Sequence, residues 1–283
     1  MTFLGLPEDE KRARVVFLPA PYDATTSYVP GTRFGPRRLL EASVYLEFFD
    51  EELACPREAL PPFLTLREEE LPLAPEKALS VLKERLAPHL ALGRFPVTLG
   101  GEHTVSLAPI ELLLKRFPDL WVVQLDAHAD LRPTYQGSPY SHACVMRRAY
   151  EAGAKIISLG VRAVSEEEFR FIREKKLPVF WAFKLKEDLS QVLAEVKRLI
   201  GGSPVYVTID LDGFDPAEVP GVGTPEPGGL SWYEGLSILK TLSRLKVVGF
   251  DVVELLPNDH RSAFFAAKLV YKFLSYLFCP AES

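Results

Sequence analysis

The chain has one asparagine (Asn258), three glutamines and two methionines in 283 residues, against 24 prolines. Scarcity of these thermolabile side chains, together with abundant loop proline, is the composition expected of a thermophile protein. Cysteine is sparse as well. Cys55, Cys144 and Cys279 are an odd number without metal-type spacing, and they read as reduced thiols of a cytoplasmic protein. Cys144 lies two residues from His142 at the start of a predicted helix and is expected to serve packing. No apolar run has the length of a membrane span. Charged residues from Glu8 to Arg14 follow the first residues at once, so no signal peptide is expected. Positive charge is not in excess: the net charge of −5 argues against a general nucleic-acid binder, which needs a basic face. With 47% hydrophobic and 25% charged residues, the composition is that of a soluble globular protein. No repeat, low-complexity tract or linker interrupts it, and residues 1–283 read as one domain.

Apolar runs and helical periodicities alternate along the chain. Strands are predicted at Val15–Leu18, Phe63–Leu66, Pro96–Leu99, Trp121–Leu125, Ile156–Leu159, Val179–Trp181, Val205–Ile209 and Val247–Val253. Helices are predicted over Pro36–Phe49, Pro75–Leu92, Val105–Phe117, His142–Ala152, Ser165–Lys175, Glu187–Ile200, Ser231–Leu242 and Ser262–Phe278. Ser165 followed three residues later by Glu168 is a capping-box pattern. The stretch from Asp50 to Pro75 reads as an excursion carrying one strand. Alternation of this kind implies an α/β fold with a mostly parallel sheet covered on both faces, and sites beyond the carboxyl ends of its strands.

Chemistry-bearing residues gather at those ends. The run Trp121–Leu125 leads into Asp126-Ala127-His128-Ala129-Asp130. In an extended segment, side chains at i, i+2 and i+4 share a side, so Asp126, His128 and Asp130 are expected to converge. Pro204–Ile209 ends in Asp210-Leu211-Asp212, a second pair of carboxylates at i and i+2. Such a pair is also common in Asx turns. Four carboxylates buried together without cations, however, would repel strongly. The third tip is Gly100-Gly101-Glu102-His103, where glycines permit a tight turn before an imidazole. Oxygen-rich ligation with two imidazoles suits Mn2+, and also accommodates Co2+, Zn2+ or Fe2+.

These elements resemble the ureohydrolase family, meaning arginases, agmatinases and their relatives. The resemblance spans most of the chain. It rests on Ala20-Pro21-Tyr22-Asp23 through Pro30-Gly31-Thr32-Arg33-Phe34-Gly35-Pro36, on Gly100–Thr104, on Asp126–Asp130 and on Ser141-His142-Ala143. It continues in Asp210–Pro216 with Pro220–Gly229, and in Val248-Gly249-Phe250-Asp251-Val252-Val253-Glu254. It implies a three-layer α/β/α arginase-like fold with an eight-stranded sheet. It implies two metal ions, the first on His103, Asp126, Asp130 and Asp210, the second on Asp126, His128, Asp210 and Asp212, with Asp126 and Asp210 bridging. Asp130 would also direct the attacking water, Glu254 would clamp the guanidinium and His142 would shuttle a proton. Asp215 and Asp251 are expected to support the site or a turn, and His89 and His260 to be structural or exposed. A homo-oligomer, trimer or hexamer, is also implied.

The substrate is less closely specified. Arginases hold the α-carboxylate and α-amine of arginine with Asn and Ser in the loop after the Asp-Ala-His-x-Asp element. Here Leu131–Ser141 contains no Asn, and Thr224–Gly229 resembles the agmatinase form. The expected substrate is a small cationic guanidino compound, agmatine or an aminopropylated agmatine, on a route to spermidine. Glu226 and Tyr135 are candidates for its cationic tail. Arg132 points the other way, toward a carboxylate substrate as in guanidinobutyrate or formimidoglutamate hydrolysis, and arginase activity is a further alternative. A non-catalytic metal-binding regulator and a metal-dependent deacetylase of related fold are the rival classes. The intact ligand set speaks against the first. The Gly-Gly-Glu-His and Thr-Pro-Glu-Pro-Gly-Gly elements speak against the second.

Overall fold

The structure is a computed structural model and describes residues 1–279. The strands are β1 (Val15–Ala20), β2 (Phe49–Asp50), β3 (Cys55–Pro56), β4 (Phe63–Thr65), β5 (Phe95–Gly100), β6 (Trp121–Leu125), β7 (Lys155–Val161), β8 (Val179–Trp181), β9 (Pro204–Asp210) and β10 (Lys246–Val253). The α-helices are α1 (Gly35–Ser43), α2 (Pro75–Ala91), α3 (Leu107–Arg116), α4 (Val145–Glu151), α5 (Glu166–Lys175), α6 (Ala182–Glu187), α7 (Leu189–Ile200), α8 (Trp232–Leu242) and α9 (His260–Phe278).

Eight strands form one sheet in the order β4-β1-β5-β10-β9-β6-β7-β8, and every pairing in it is parallel. Each of the eight coincides with a predicted apolar run. Parallel strands are covered on both faces, which is why they read as near-continuous hydrophobic stretches. Alternate residues feed two cores. Val15, Phe17, Val207 and Ile209 pack with α1, α7, α8 and α9, whereas Val16, Leu18, Val122 and Tyr206 pack with α2, α3, α4 and α5. Sheet and two helical faces make the three α/β/α layers that the resemblance implies.

Several expectations are corrected. The excursion from Asp50 carries the antiparallel β2–β3 pair as well as β4. The first predicted helix ends at Ser43, well short of Phe49, which enters β2. The six-residue helix α6 was not predicted. Cys55 and Cys279 are joined in a disulfide, with Cα atoms 6.3 Å apart at a sequence separation of 224. That overturns the reading of these two as reduced thiols; only the fold, by laying the end of α9 against β3, brings them together. Cys144 is free and fully buried, and burial pushes its thiol up to about 11, as a packing residue requires. Among the described residues no helix is long and apolar enough to cross a membrane.

Candidate active site

The central strands β5, β10, β9 and β6 are neighbours, and each delivers functional side chains at its carboxyl end. His103 follows β5, Glu254 follows β10, Asp210 closes β9 with Asp212 just beyond, and Asp126, His128 and Asp130 follow β6. Gly101 makes the turn after β5 possible. A Cβ there would collide with the Tyr22 carbonyl, and its own carbonyl accepts from the Glu254 N–H at 2.8 Å.

His103 Nδ1 lies 3.1 Å from an Asp126 oxygen, 3.0 Å from Asp130 and 3.1 Å from Asp210. His128 Nδ1 lies 3.0 Å from Asp212 and 3.5 Å from Asp126. Two clusters with metal-ligating geometry result, His103–Asp126–Asp210 and Asp126–His128–Asp212, and Asp126 belongs to both. Asp130 reaches the first through His103. Asp210 enters only the first cluster, so its bridging role stays an implication of the family resemblance. The convergence is real, but its expected cause is not. The segment leaves the extended form after Leu125. Asp126 Oδ1 accepts from the His128 N–H at 2.6 Å, and Asp130 takes a left-handed φ of 51°. Glu254 is also left-handed, with φ of 63°. Such backbones in non-glycine residues cost about 1–3 kcal/mol each and persist where surroundings over-determine them.

The electrostatics suit a site that can hold cations. Burial opposes ionisation of Asp130, and the neighbouring Asp126 opposes it further, raising its carboxyl to about 7. Burial, Asp212 and Asp126 push Asp210 well above the carboxylate range. Burial works against a charged His103, yet Asp126, Asp130 and Asp210 hold its imidazole well above the usual value. His103 Nδ1 is a buried nitrogen with no hydrogen-bond partner of acceptable geometry. Clustered carboxylates and an orphaned imidazole nitrogen are what a divalent ion satisfies, and the donor set fits one.

The tautomer of His103 is set from behind. Thr208 gives its hydroxyl proton to the buried Asp251 at 2.6 Å, and Tyr206 donates to the other oxygen of that carboxylate at 2.7 Å. The Thr208 oxygen, 2.9 Å from His103 Nε2, can then only accept, so the ring carries its proton on Nε2 and turns the Nδ1 lone pair to the cluster. Replacing Thr208 by Val is expected to weaken metal binding roughly 10–100-fold with the fold intact, as titration calorimetry would show; unchanged affinity would contradict this arrangement.

The donors open into a cavity of about 340 Å³ lined in part by Glu254, His142, Tyr135, Glu226, Arg132 and Glu168. The His103 N–H donates to Glu254 at 2.7 Å. Burial, then the nearby Glu102, pushes the Glu254 carboxyl well up, so a bound cation would find a carboxylate in need of one. His142 stands edge-on to the Tyr135 ring, with centroids 5.6 Å apart, and burial pushes its imidazole down to about 4. The structure therefore brings every predicted site residue to one cavity or its floor. His260 is exposed and His89 lies against Arg94, both away from it.

The Arginase family profile matches residues 13–275. The chain belongs to the arginase family. It is 41% identical over 273 residues to the N(1)-aminopropylagmatine ureohydrolase of Synechocystis sp., covering 93% of this chain and 89% of that protein. It is 36% identical over 284 residues to the agmatinase of Bacillus subtilis, covering 96% and 94%. The agmatine ureohydrolase of Thermoplasma volcanium has the same fold, with a TM-score of 0.85 at 33% identity, covering 94% of this chain and 90% of that one.

Within this arginase-family site, sequence reasoning missed three supports. Arg162, at the end of β7, donates to the carbonyls of Asp212 at 2.7 Å, Glu226 at 2.8 Å and Pro227 at 3.0 Å, tying the Glu226 loop to the end of β9. Glu168 closes the predicted capping box and also accepts from the Leu131 N–H at 3.0 Å, which anchors the loop after Asp130. Thr25 joins Glu102 to His142. The expectation for Asp251 holds, and Asp215 gathers the N–H groups of Ala217, Gly228 and Gly229 in a turn.

Proposed function

We propose that the chain hydrolyses the guanidino group of agmatine or N1-aminopropylagmatine, releasing urea and a primary amine. The carrying observation is the juxtaposition of the two metal-type clusters with the buried Glu254 in one cavity whose charged lining is acidic. Among the described residues, Arg132 is the sole Lys or Arg in that lining. It is engaged already: its Nε lies 3.8 Å from Glu168, and its guanidinium sits 5.0 Å from the Tyr135 ring centroid. That leaves no free cation to receive a substrate carboxylate and favours a cationic tail beside Glu226. The names of the relatives support the same reading.

His103, Asp126, Asp130, Asp210, Asp212 and His128 would hold a pair of divalent ions, Mn2+ by donor chemistry. Bound there, such a pair supplies Lewis acidity that brings the pKa of water toward neutrality. The protein's own groups do the rest. Glu254 pairs with the guanidinium through charge-assisted hydrogen bonds and holds its carbon over the cluster. Asp130 accepts a hydrogen bond from the attacking water and fixes its direction. The water oxygen bonds to the guanidinium carbon and gives up a proton to the neutral His142, the C–N bond to the alkyl chain breaks, and His142 delivers that proton to the departing nitrogen, so that urea leaves together with a protonated amine. The resemblance also points to a homo-oligomer, for which light scattering is the test.

Urea release from agmatine, N1-aminopropylagmatine, arginine and 4-guanidinobutyrate tests the substrate. A kcat/KM preference for either agmatine compound is expected, and a preference for a carboxylate substrate would refute the reading of Arg132. Glu254→Gln is expected to lower kcat/KM about 30- to 5,000-fold, because removing one partner of a buried charge pair costs about 2–5 kcal/mol. Full activity in that variant would remove Glu254 from the guanidinium pocket.

A further inference from the structure

Glu102 belongs neither to the ligand set nor to the cavity lining, yet its carboxylate is fully buried. Thr25 donates to it twice, from its backbone N–H at 2.7 Å and from its hydroxyl at 2.5 Å. A hydroxyl has one proton. With that proton on the Glu102 side, the Thr25 oxygen offers only lone pairs to its other neighbours. Both belong to His142: its backbone N–H at 3.1 Å and its ring Nδ1 at 3.4 Å. Ser141 Oγ, 3.2 Å from the same Nδ1, is a hydroxyl that can take either role and follows the tautomer Thr25 sets. The Thr25 oxygen, which can only accept, holds the ring with its proton on Nδ1. Nε2 is left with a lone pair, beside Ser27 on the cavity wall at 3.4 Å.

We propose that Glu102, acting through Thr25, is a positioning residue that fixes the tautomer of His142 so that Nε2 is the atom that takes up and releases the proton. This rests on the reading of His142 as proton carrier given above. The arrangement mirrors the Asp251–Thr208–His103 chain but reaches the opposite result. There the hydroxyl oxygen meets Nε2 and frees Nδ1, and here it meets Nδ1 and frees Nε2. In each case a buried carboxylate claims the one hydroxyl proton, so the threonine oxygen has only a lone pair to offer the imidazole nitrogen facing it and favours the tautomer with the proton on that nitrogen.

A purely structural role, pinning the loop after β1 to the turn after β5, would not care which way the hydroxyl proton points. Glu102→Gln separates the two. The amide oxygen still accepts from the Thr25 N–H, so the loop stays anchored. The amide NH2 now donates to the hydroxyl oxygen and turns its proton toward His142 Nδ1. Imidazole 15N spectra of the Zn2+-loaded protein, assigned by comparison with His142→Asn, read the tautomer directly. The expected result is Nδ1–H at His142 in the parent protein and in Thr25→Ser, and Nε2–H in E102Q. With Mn2+ bound, E102Q should lose about 100-fold in kcat with KM within about threefold and metal content unchanged, the share expected of a misdirected acid–base group. Thr25→Val, which deletes the hydroxyl, should lose the fixed tautomer and serves if E102Q fails to fold. Nδ1–H retained in the folded variant overturns the assignment whatever the activity. The proton-carrier reading fails separately, if His142→Asn keeps its kcat.

Discussion

Asp126→Asn is expected to strip the site of metal and reduce urea release to background while the fold survives. Asp126 is the one residue common to both clusters. Its Oδ1 accepts from the His128 N–H, and its Oδ2 accepts from Gln124 Nε2 at 2.6 Å and lies 3.1 Å from His103 Nδ1. Both oxygens therefore face donors, and an amide NH2 in either place would set donor against donor beside two cations. Removing one partner of a buried ionic cluster costs about 3–5 kcal/mol, or roughly 150- to 5,000-fold in affinity. Since Asp126 belongs to both clusters, both ions of the proposed pair should be lost, and metal analysis after gel filtration would count them. Two ions retained at the parent affinity would refute the ligand assignment. The same chemistry sets a pH dependence. In the metal-free site Asp130 takes a proton at about 7, and His103 is protonated well above its ordinary range. Ligands must shed those protons to bind, so affinity falls as the pH drops through about 7 and binding releases protons. Calorimetry in buffers of different ionisation enthalpy would show the release.

What could be read along the chain follows the physics of parallel sheets. All eight sheet strands were legible, because a strand covered on both faces must be apolar almost throughout. The ligands were legible because polar residues that close such a run sit at a strand tip. Most of the supports were not. Asp251 was expected as a support, but its partner was not: Thr208 and Asp251 lie inside apolar strands, where their polarity announces a buried partner without naming it. The partner is in another strand, in register across the β9–β10 pairing. Arg162 follows β7 like any surface arginine, and only the closed fold surrounds it with carbonyls. Glu102 lies inside a legible motif, but its link to His142 runs through Thr25, 77 residues away. The left-handed backbone of Asp130 was invisible too, since nothing in its side chain demands it. The two-residue strands β2 and β3 are too short to show a period of two.

Reduction of the Cys55–Cys279 disulfide is expected to be the largest change in stability available to a mild reagent, with no effect on the site. The bond closes a loop of 224 residues. In the chain-entropy account, a loop of that length destabilises the unfolded state by about 5 kcal/mol. For a protein of this size that corresponds to roughly 10 °C in Tm. The disulfide is not alone at this place. Lys272, buried on α9, donates to the buried Asp50 at 2.9 Å and to Glu52 at 3.1 Å, and Tyr276 donates to Glu52 at 2.5 Å. The β2–β3 pair is therefore held to α9 by charge as well as by sulfur. A buried lysine that lost its carboxylates would be left uncompensated, so the bond also protects the ion pair from local opening. No ligand or cavity residue lies on β2, β3 or α9, so kcat below the transition should be the same in Cys55→Ser as in the parent. Thiol titration in denaturant distinguishes the states: one thiol, Cys144, if the bond is formed, and three if it is not. A single thiol together with a Tm lowered by reductant supports the disulfide as a structural clamp. Three thiols before any reductant, or an unmoved Tm after it, would show that the packing of α9 holds this edge without it.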